Sequence, residues 1–153
     1  MDDLDTFDRK ILAVLQVDGR ITVTDLANRV GLSKTPCQIR MRKLEERGFI
    51  KGYAALVDPN KLDAGHIAFV QVSLADTRSA ALEAFNTSVG AIGEIEQCHM
   101  IAGQFDYLLK VRTKDIAAYR KFLGEKISEL PHVSHTSTFV VMQSVKERSS
   151  ARR

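Results

Sequence analysis

At 153 residues the chain can hold one domain or two small ones, and its 44% hydrophobic and 27% charged residues exclude wholesale disorder. No apolar run has the length of a membrane span, and the start MDDLDTFDRK is acidic rather than basic and leads into no signal-peptide h-region, so a soluble, cytoplasmic protein without a signal peptide is expected. The net charge of +3 is uninformative as a sum: residues 1–58 carry ten Lys/Arg against nine Asp/Glu, residues 59–145 eight against nine, and residues 146–153 four against one.

Three short helices are expected first. Asp5 can cap the first, Phe7, Ile11, Leu12, Val14 and Leu15 follow the helical period, and Gly19 ends the run. Thr22 caps the second, with Asp25 three residues on and Val23, Leu26, Ala27 and Val30 facing inward until Gly31. Val30–Ser33 makes a four-residue turn, and Ser33 caps a third helix running to Arg47, with Gly48 after it. That arrangement is a helix-turn-helix.

The third helix carries the functional signal. Cys37, Met41 and Leu44 form its core stripe, while Thr35, Gln38, Ile39, Arg42, Lys43 and Glu46 share the other face. Such a face suits the major groove of DNA: Arg pairs with guanine, Gln with adenine, and Thr or Ile touches a thymine methyl. Arg42 and Gln38 are expected to read bases, and Lys34, Arg40, Lys43 and Arg47 to hold phosphates or flank the groove, with Thr35 and Ile39 beside them. A short strand, wing or linker is expected over Tyr53–Pro59.

The pattern then changes. Strands are expected at Ile67–Ala75, Ile95–Ala102, Tyr107–Thr113 and Val133–Met142, and helices at Ser79–Ile92 and Asp115–Leu130. The second helix is expected to turn Ile116, Tyr119, Leu123, Ile127 and Leu130 inward. The order βαββαβ is that of a ferredoxin-like sandwich, a four-stranded antiparallel sheet with both helices on one face. The fold class is therefore α+β: an N-terminal winged helix-turn-helix (1–58), a C-terminal sandwich (59–146) and a short basic tail (147–153). The strands are apolar on both faces, so a symmetric partner is expected over the open side of the sheet.

No catalytic constellation is visible, so no enzyme is expected. Nucleophile-elbow, phosphate-loop and dinucleotide motifs are missing, and His66, His99, His132 and His135 lack metal-ligand spacing. Cys37 and Cys98 belong to no CxxC pair and are expected to be small buried thiols. No metal and no cofactor are expected.

The stretches LDTFDRKILAVLQVDGRIT, LANRVGLSKTPCQIRMRKLEERGFIKGY, EQCHMIAGQFDYLLKV, YRKFLGE and TSTFVVMQSVK resemble the Lrp/AsnC (feast/famine) transcription regulators over nearly the whole chain. The branch they most resemble holds the leucine-responsive regulator and the proline-catabolism activators. The resemblance implies a linking strand paired across a dimer, and a sandwich domain that builds dimers into tetramers or octamers. It also implies an effector, an amino acid, bound between dimers. That site maps onto Gly103, Gln104, Phe105, Asp106 and Tyr107, with Thr136, Ser137 and Thr138 opposite. Turn amides would take the carboxylate and Asp106 the ammonium. Gln104, Ser137 and Phe139 depart from the acidic residue, arginine and tyrosine of the leucine-type pattern. The departure favours an uncharged ligand side chain, proline or a medium-sized apolar amino acid.

The expected protein is thus a regulator of amino-acid metabolism that binds a pseudo-palindromic duplex and answers to a small molecule. The alternatives are an amino-acid-sensing regulatory subunit of an enzyme and a metal-dependent winged-helix repressor. The first leaves the basic third helix unexplained, and the poor metal-ligand spacing argues against the second.

Overall fold

The computed structural model describes residues 4–147 and divides into two compact units. The first runs to Val57 and takes in Lys146 and Glu147; the second spans Asp58–Val145. Apart from Glu147, the expected basic tail lies outside the described residues. Among those residues no helix is long and apolar enough to cross a membrane.

The first unit holds three helices, α1 (Thr6–Leu15), α2 (Val23–Val30) and α3 (Lys34–Glu46). Asp5 and Asp8 cap α1 reciprocally: the Asp5 carboxylate accepts the Asp8 N–H at 2.9 Å, and the Asp8 carboxylate accepts the Asp5 N–H at 3.4 Å. Thr22 caps α2 by accepting the Asp25 N–H at 3.1 Å, and Gly31 ends it at φ 80°, a left-handed conformation open to glycine. Ser33 holds the capping position of α3 but its hydroxyl makes no capping bond, so the expected side-chain cap is absent there. The core is small: Ile11, Leu26, Ala27, Val30, Cys37 and Leu44, drawn from all three helices, with Met41 at its edge.

Of the short strand, wing or linker expected over Tyr53–Pro59, the strand is not formed, and the boundary between the two units falls within the segment. Residues 51–58 carry no ladder, and Tyr53, Leu56 and Val57 stand exposed. A strand needs the N–H and C=O groups of a neighbour, and among the described residues none pairs with this segment. Tyr53 is instead anchored by its hydroxyl, which donates to Glu45 at 2.9 Å.

The second unit begins with a single 3₁₀ turn, Pro59–Leu62, and continues as β1 (His66–Leu74), α4 (Ser79–Gly90), β2 (Ile95–Met100), β3 (Tyr107–Thr113), α5 (Ile116–Phe122) and β4 (Val133–Val140). The four strands form one antiparallel sheet in the order β2-β3-β1-β4. Ala68, Val70, Val72 and Leu74 of β1, with Tyr107, Leu109 and Val111 of β3, form one core with Phe85 and Val89 of α4 and with Tyr119 and Phe122 of α5. Both helices therefore cover the same face. The Phe85 and Tyr107 rings meet at 4.4 Å between centroids, and burying either is worth about 1.5–3 kcal/mol.

The second helix departs from expectation. It passes at Leu123 into a π-helical turn, Leu123–Ile127. The extra residue brings Phe122 and Ile127, five positions apart, into one core, and leaves Ile116, expected inward, half exposed. Gly124 inside the turn weakens the case for regular helix there.

The other face of the sheet carries Phe69, Gln71, Leu108, Lys110, Ser137 and Phe139, fixed by the cross-strand pairs Phe69↔Lys110, Gln71↔Leu108, Gln71↔Ser137 and Phe69↔Phe139. Glu96 ties two cations together there, with Lys110 Nζ at 3.0 Å and Arg112 Nε at 2.5 Å. Burial pushes the Glu96 carboxyl up, but the hydrogen bonds from Arg112 and Lys110 outweigh it and hold it below its ordinary value. A depressed carboxyl contributes stability above its unfolded pKa and loses it as pH falls through the folded value. Glu96→Gln should therefore melt below wild type at pH 7, by about 1 kcal/mol in a pair still partly solvated. Thermal melts of both proteins against pH should converge below about pH 4.

Candidate functional site

On α3 the expected DNA-facing side chains separate by environment. Lys34, Thr35, Gln38, Ile39, Arg42, Lys43 and Arg47 are exposed, while Cys37 and Leu44 on the other side are buried. Ile39 is half exposed, which a merely solvated face does not require. Thr35, Ile39, Lys43 and Arg47, each four residues from the last, form one ridge beside a recess of about 420 Å³ that also includes Asp8 and Arg40. Arg47 lies over the Phe49 ring at 4.9 Å, at the C-terminal edge of the ridge.

Arg40 is the exception. Its Nη1 is 2.5 Å from Asp5 Oδ2 and 2.8 Å from Asp8 Oδ1, and its guanidinium stands 5.5 Å from the centre of the Phe7 ring. The Asp5 carboxyl is held below its usual range, chiefly by the Asp8 N–H it accepts and then by Arg40, against an opposing effect of burial. Arg40 is thus bound to α1 and its N-cap, where it was expected to hold a phosphate or flank the groove. The partners lie 35 and 32 residues away, so no local spacing pointed to them.

The second candidate site lies at the turn before β3. Gly103 and Gln104 are exposed, and Phe105 and Asp106 are half-buried. Asp106 stitches the turn to the end of β1: its N–H donates to Val72 O at 3.0 Å, and its Oδ2 accepts the Leu74 N–H at 2.7 Å. One carboxylate oxygen thus serves the fold, where an ammonium was expected to be its partner. Tyr107 is buried, its ring against Phe85 in the core, so its side chain is not a pocket wall.

The stretch Thr136–Thr138 divides between faces. Thr136 and Thr138 pair with Val72 and Val70 on the helix side, and the Thr138 hydroxyl meets the Tyr119 hydroxyl at 2.5 Å. Ser137 pairs with Gln71 on the open side, 3.3 Å from His135 Nε2. Three successive strand residues cannot line one surface, because their side chains alternate. The expected trio is therefore split. Tyr107, Val72 and Thr136 do fall on one cross-strand line, so the turn and this part of β4 share one end of the sheet, roughly 10 Å apart across β1. Among the described residues no group of three or more His, Cys, Asp and Glu side chains is placed to hold a metal ion.

Comparison with known proteins agrees on both units. A family model described as "Winged helix-turn-helix DNA-binding" matches residues 4–51, and one described as "Lrp/AsnC ligand binding domain" matches residues 67–151. A proline dehydrogenase transcriptional activator of Rhizobium radiobacter is 64% identical over 146 residues, covering 95% of this chain and 94% of the relative. The leucine-responsive regulatory protein of Escherichia coli K12 is 52% identical, covering 95% of this chain and 88% of its own. A transcriptional regulator of Neisseria meningitidis solved in complex with L-Met superposes with a TM-score of 0.89 at 35% identity, covering 95% of this chain and 94% of that one.

The two faces of β4 should respond differently to substitution. Thr138→Val removes the partner of a buried tyrosine hydroxyl and should cost about 1 kcal/mol in denaturant unfolding. Ser137→Ala, on the open side, should stay within about 0.5 kcal/mol.

Proposed function

Because this chain belongs to the Lrp/AsnC family of DNA-binding transcription regulators, we propose that α3 is its recognition helix and docks in the major groove. Gln38 and Arg42 read base edges there, Thr35 and Ile39 meet thymine methyls, and Lys34, Lys43 and Arg47 hold the flanking phosphates. The observation that carries this reading is the exposed side of α3. Polar, methyl-bearing and cationic side chains project together from a helix whose other side is buried in a capped three-helix unit.

The active form is a homodimer that assembles further, to a tetramer or octamer. The sheet face opposite α4 and α5 supports it, since it presents Phe69, Leu108 and the exposed Phe139 among its polar side chains. The exposed Tyr53–Val57 segment has its backbone free to pair with the same segment of a second copy. A two-fold symmetric protein binds a pseudo-palindromic duplex with half-sites about one helical turn apart or a multiple of it. The protein works in the cytoplasm, where its DNA is.

The effector is an amino acid held at the Gly103–Asp106 turn, between dimers, with no cofactor. Turn N–H groups take its carboxylate, and the Asp106 oxygen not engaged with Leu74 takes its ammonium. Gln104 and Ser137 are neutral, which suits proline or a medium-sized apolar side chain. The 64% identity to an activator of proline dehydrogenase favours proline, and a role in amino-acid catabolism.

Two experiments test these assignments. Arg42→Ala should lose about 1–3 kcal/mol on the preferred duplex and relax its sequence preference, whereas Lys43→Ala should weaken all duplexes alike and flatten the salt dependence. Equal losses on preferred and random DNA for Arg42→Ala would overturn its role as a base reader. For the effector, Asp106→Asn keeps an acceptor for Leu74 but removes the charge. It should abolish the effect of L-proline on operator binding and assembly while leaving ligand-free DNA binding nearly intact. A variant that still answers to L-proline like wild type in calorimetry would sink the pocket.

A further inference from the structure

We propose that Arg40 is a positioning residue of the recognition helix: gripped by Asp5 and Asp8, it sets how α3 seats on α1, and so where Gln38 and Arg42 meet the bases. The inference rests on the reading of α3 as the DNA-contacting helix.

Three observations carry it. The first is phase. Arg40 follows Cys37 by three residues and precedes Leu44 by four, so it borders the buried stripe and turns toward α1, while Arg42 and Lys43 project from the exposed side. Its side chain is 31% exposed and that of Asp8 only 12%, so this pair is set into the junction between the helices.

The second is the kind of contact that joins the two helices. α1 buries two side chains, Ile11 and Asp8, and Asp8 is one of the two carboxylates that Arg40 holds; Leu12, Val14 and Leu15 add only partly buried apolar packing. Apolar packing is non-directional, and a directional, charge-assisted bond fixes how one helix is turned on the other. The capping box fixes the carboxylates in turn, because each also accepts the other residue's N–H.

The third is the sign of the charges. Two carboxylates beside a helix that approaches a polyanion repel it, which is a cost unless they serve another purpose. Were Arg40 to leave them for a phosphate, Asp8 would remain as an unpaired and nearly buried anion facing DNA. That exchange is unfavourable at both ends.

The sign makes the test sharp. If Arg40 were a phosphate ligand, Asp8→Asn would release it and remove a repulsive charge, so binding to every duplex would tighten. If Arg40 positions α3, Asp8→Asn should weaken binding to the duplex that the wild-type full chain selects from a randomised library, by about tenfold. Binding to an unselected random duplex should hold or tighten slightly, with the salt slope unchanged. Arg40→Ala should likewise lose preference for the selected duplex without flattening the salt slope, whereas loss of a phosphate contact lowers the slope by about 0.9.

Circular dichroism melts check that each variant folds. Should Asp8→Asn fail to fold, Asp5→Asn decides, since Asn keeps the cap and loses only the charge given to Arg40. Tighter binding to the selected duplex by Asp8→Asn, or by Asp5→Asn in its place, would overturn the proposal, as would a flattened salt slope in Arg40→Ala. A wild-type protein that enriched no duplex would overturn the base-reading role of α3, and this inference with it.

Discussion

Along β1 the side chains of Ala68, Val70, Val72 and Leu74 must point to one side of the sheet and those of Phe69, Gln71 and Ser73 to the other. Most of the second unit follows from that alternation. The first set, continued by Leu109 and Val111 on β3, is the floor on which α4 and α5 pack. The second set, continued by Leu108 and Phe139, mixes apolar and polar side chains and has neither α4 nor α5 over it. The same parity carries Thr138 to Tyr119 and Ser137 to His135. It also gathers Glu96, Lys110 and Arg112 into an ion trio on the open side.

The first unit is under a different constraint, that of size. A unit of under sixty residues has little apolar area to bury, and six side chains make up its buried core. Local devices carry a correspondingly larger share. The reciprocal cap of Asp5 and Asp8, the Thr22 cap and the left-handed Gly31 and Gly48 each fix a chain direction that the core alone would leave loose. Arg40 extends one of these caps into a tertiary link. Recognition of bases at hydrogen-bond distance depends on such rigidity, because a helix that rolls even slightly moves its side chains off their partners.

An effector in the second unit can alter DNA binding only through a difference in its affinity for two states of the assembly. The turn at Gly103–Asp106 is suited to that. It is stitched to β1 by the Asp106 carboxylate, and its exposed Gly103 and Gln104 face outward from that anchor. On the proposed reading, a ligand bound across such turns from two dimers would stabilise the arrangement that brings them together.

Sequence alone determined the order of the helices and sheet strands, the glycine stops at Gly31 and Gly48, the caps at Asp5 and Thr22, the ferredoxin-like topology and the family, whereas the first helix ends at Leu15, short of the expected Gly19. These are written in spacings of two to four residues, or in motifs long enough to be specific. Tertiary structure decided the rest. It gave Arg40 to carboxylates more than thirty positions away, put Tyr107 into the core, and engaged Asp106 with Leu74. It also inserted a π turn to align Phe122 with Ile127, and left Tyr53–Val57 without a strand partner. Each of these depends on which distant groups come within a few ångströms, and on the register that sets the face of a strand residue. Neither is recorded in the order of neighbours along the chain.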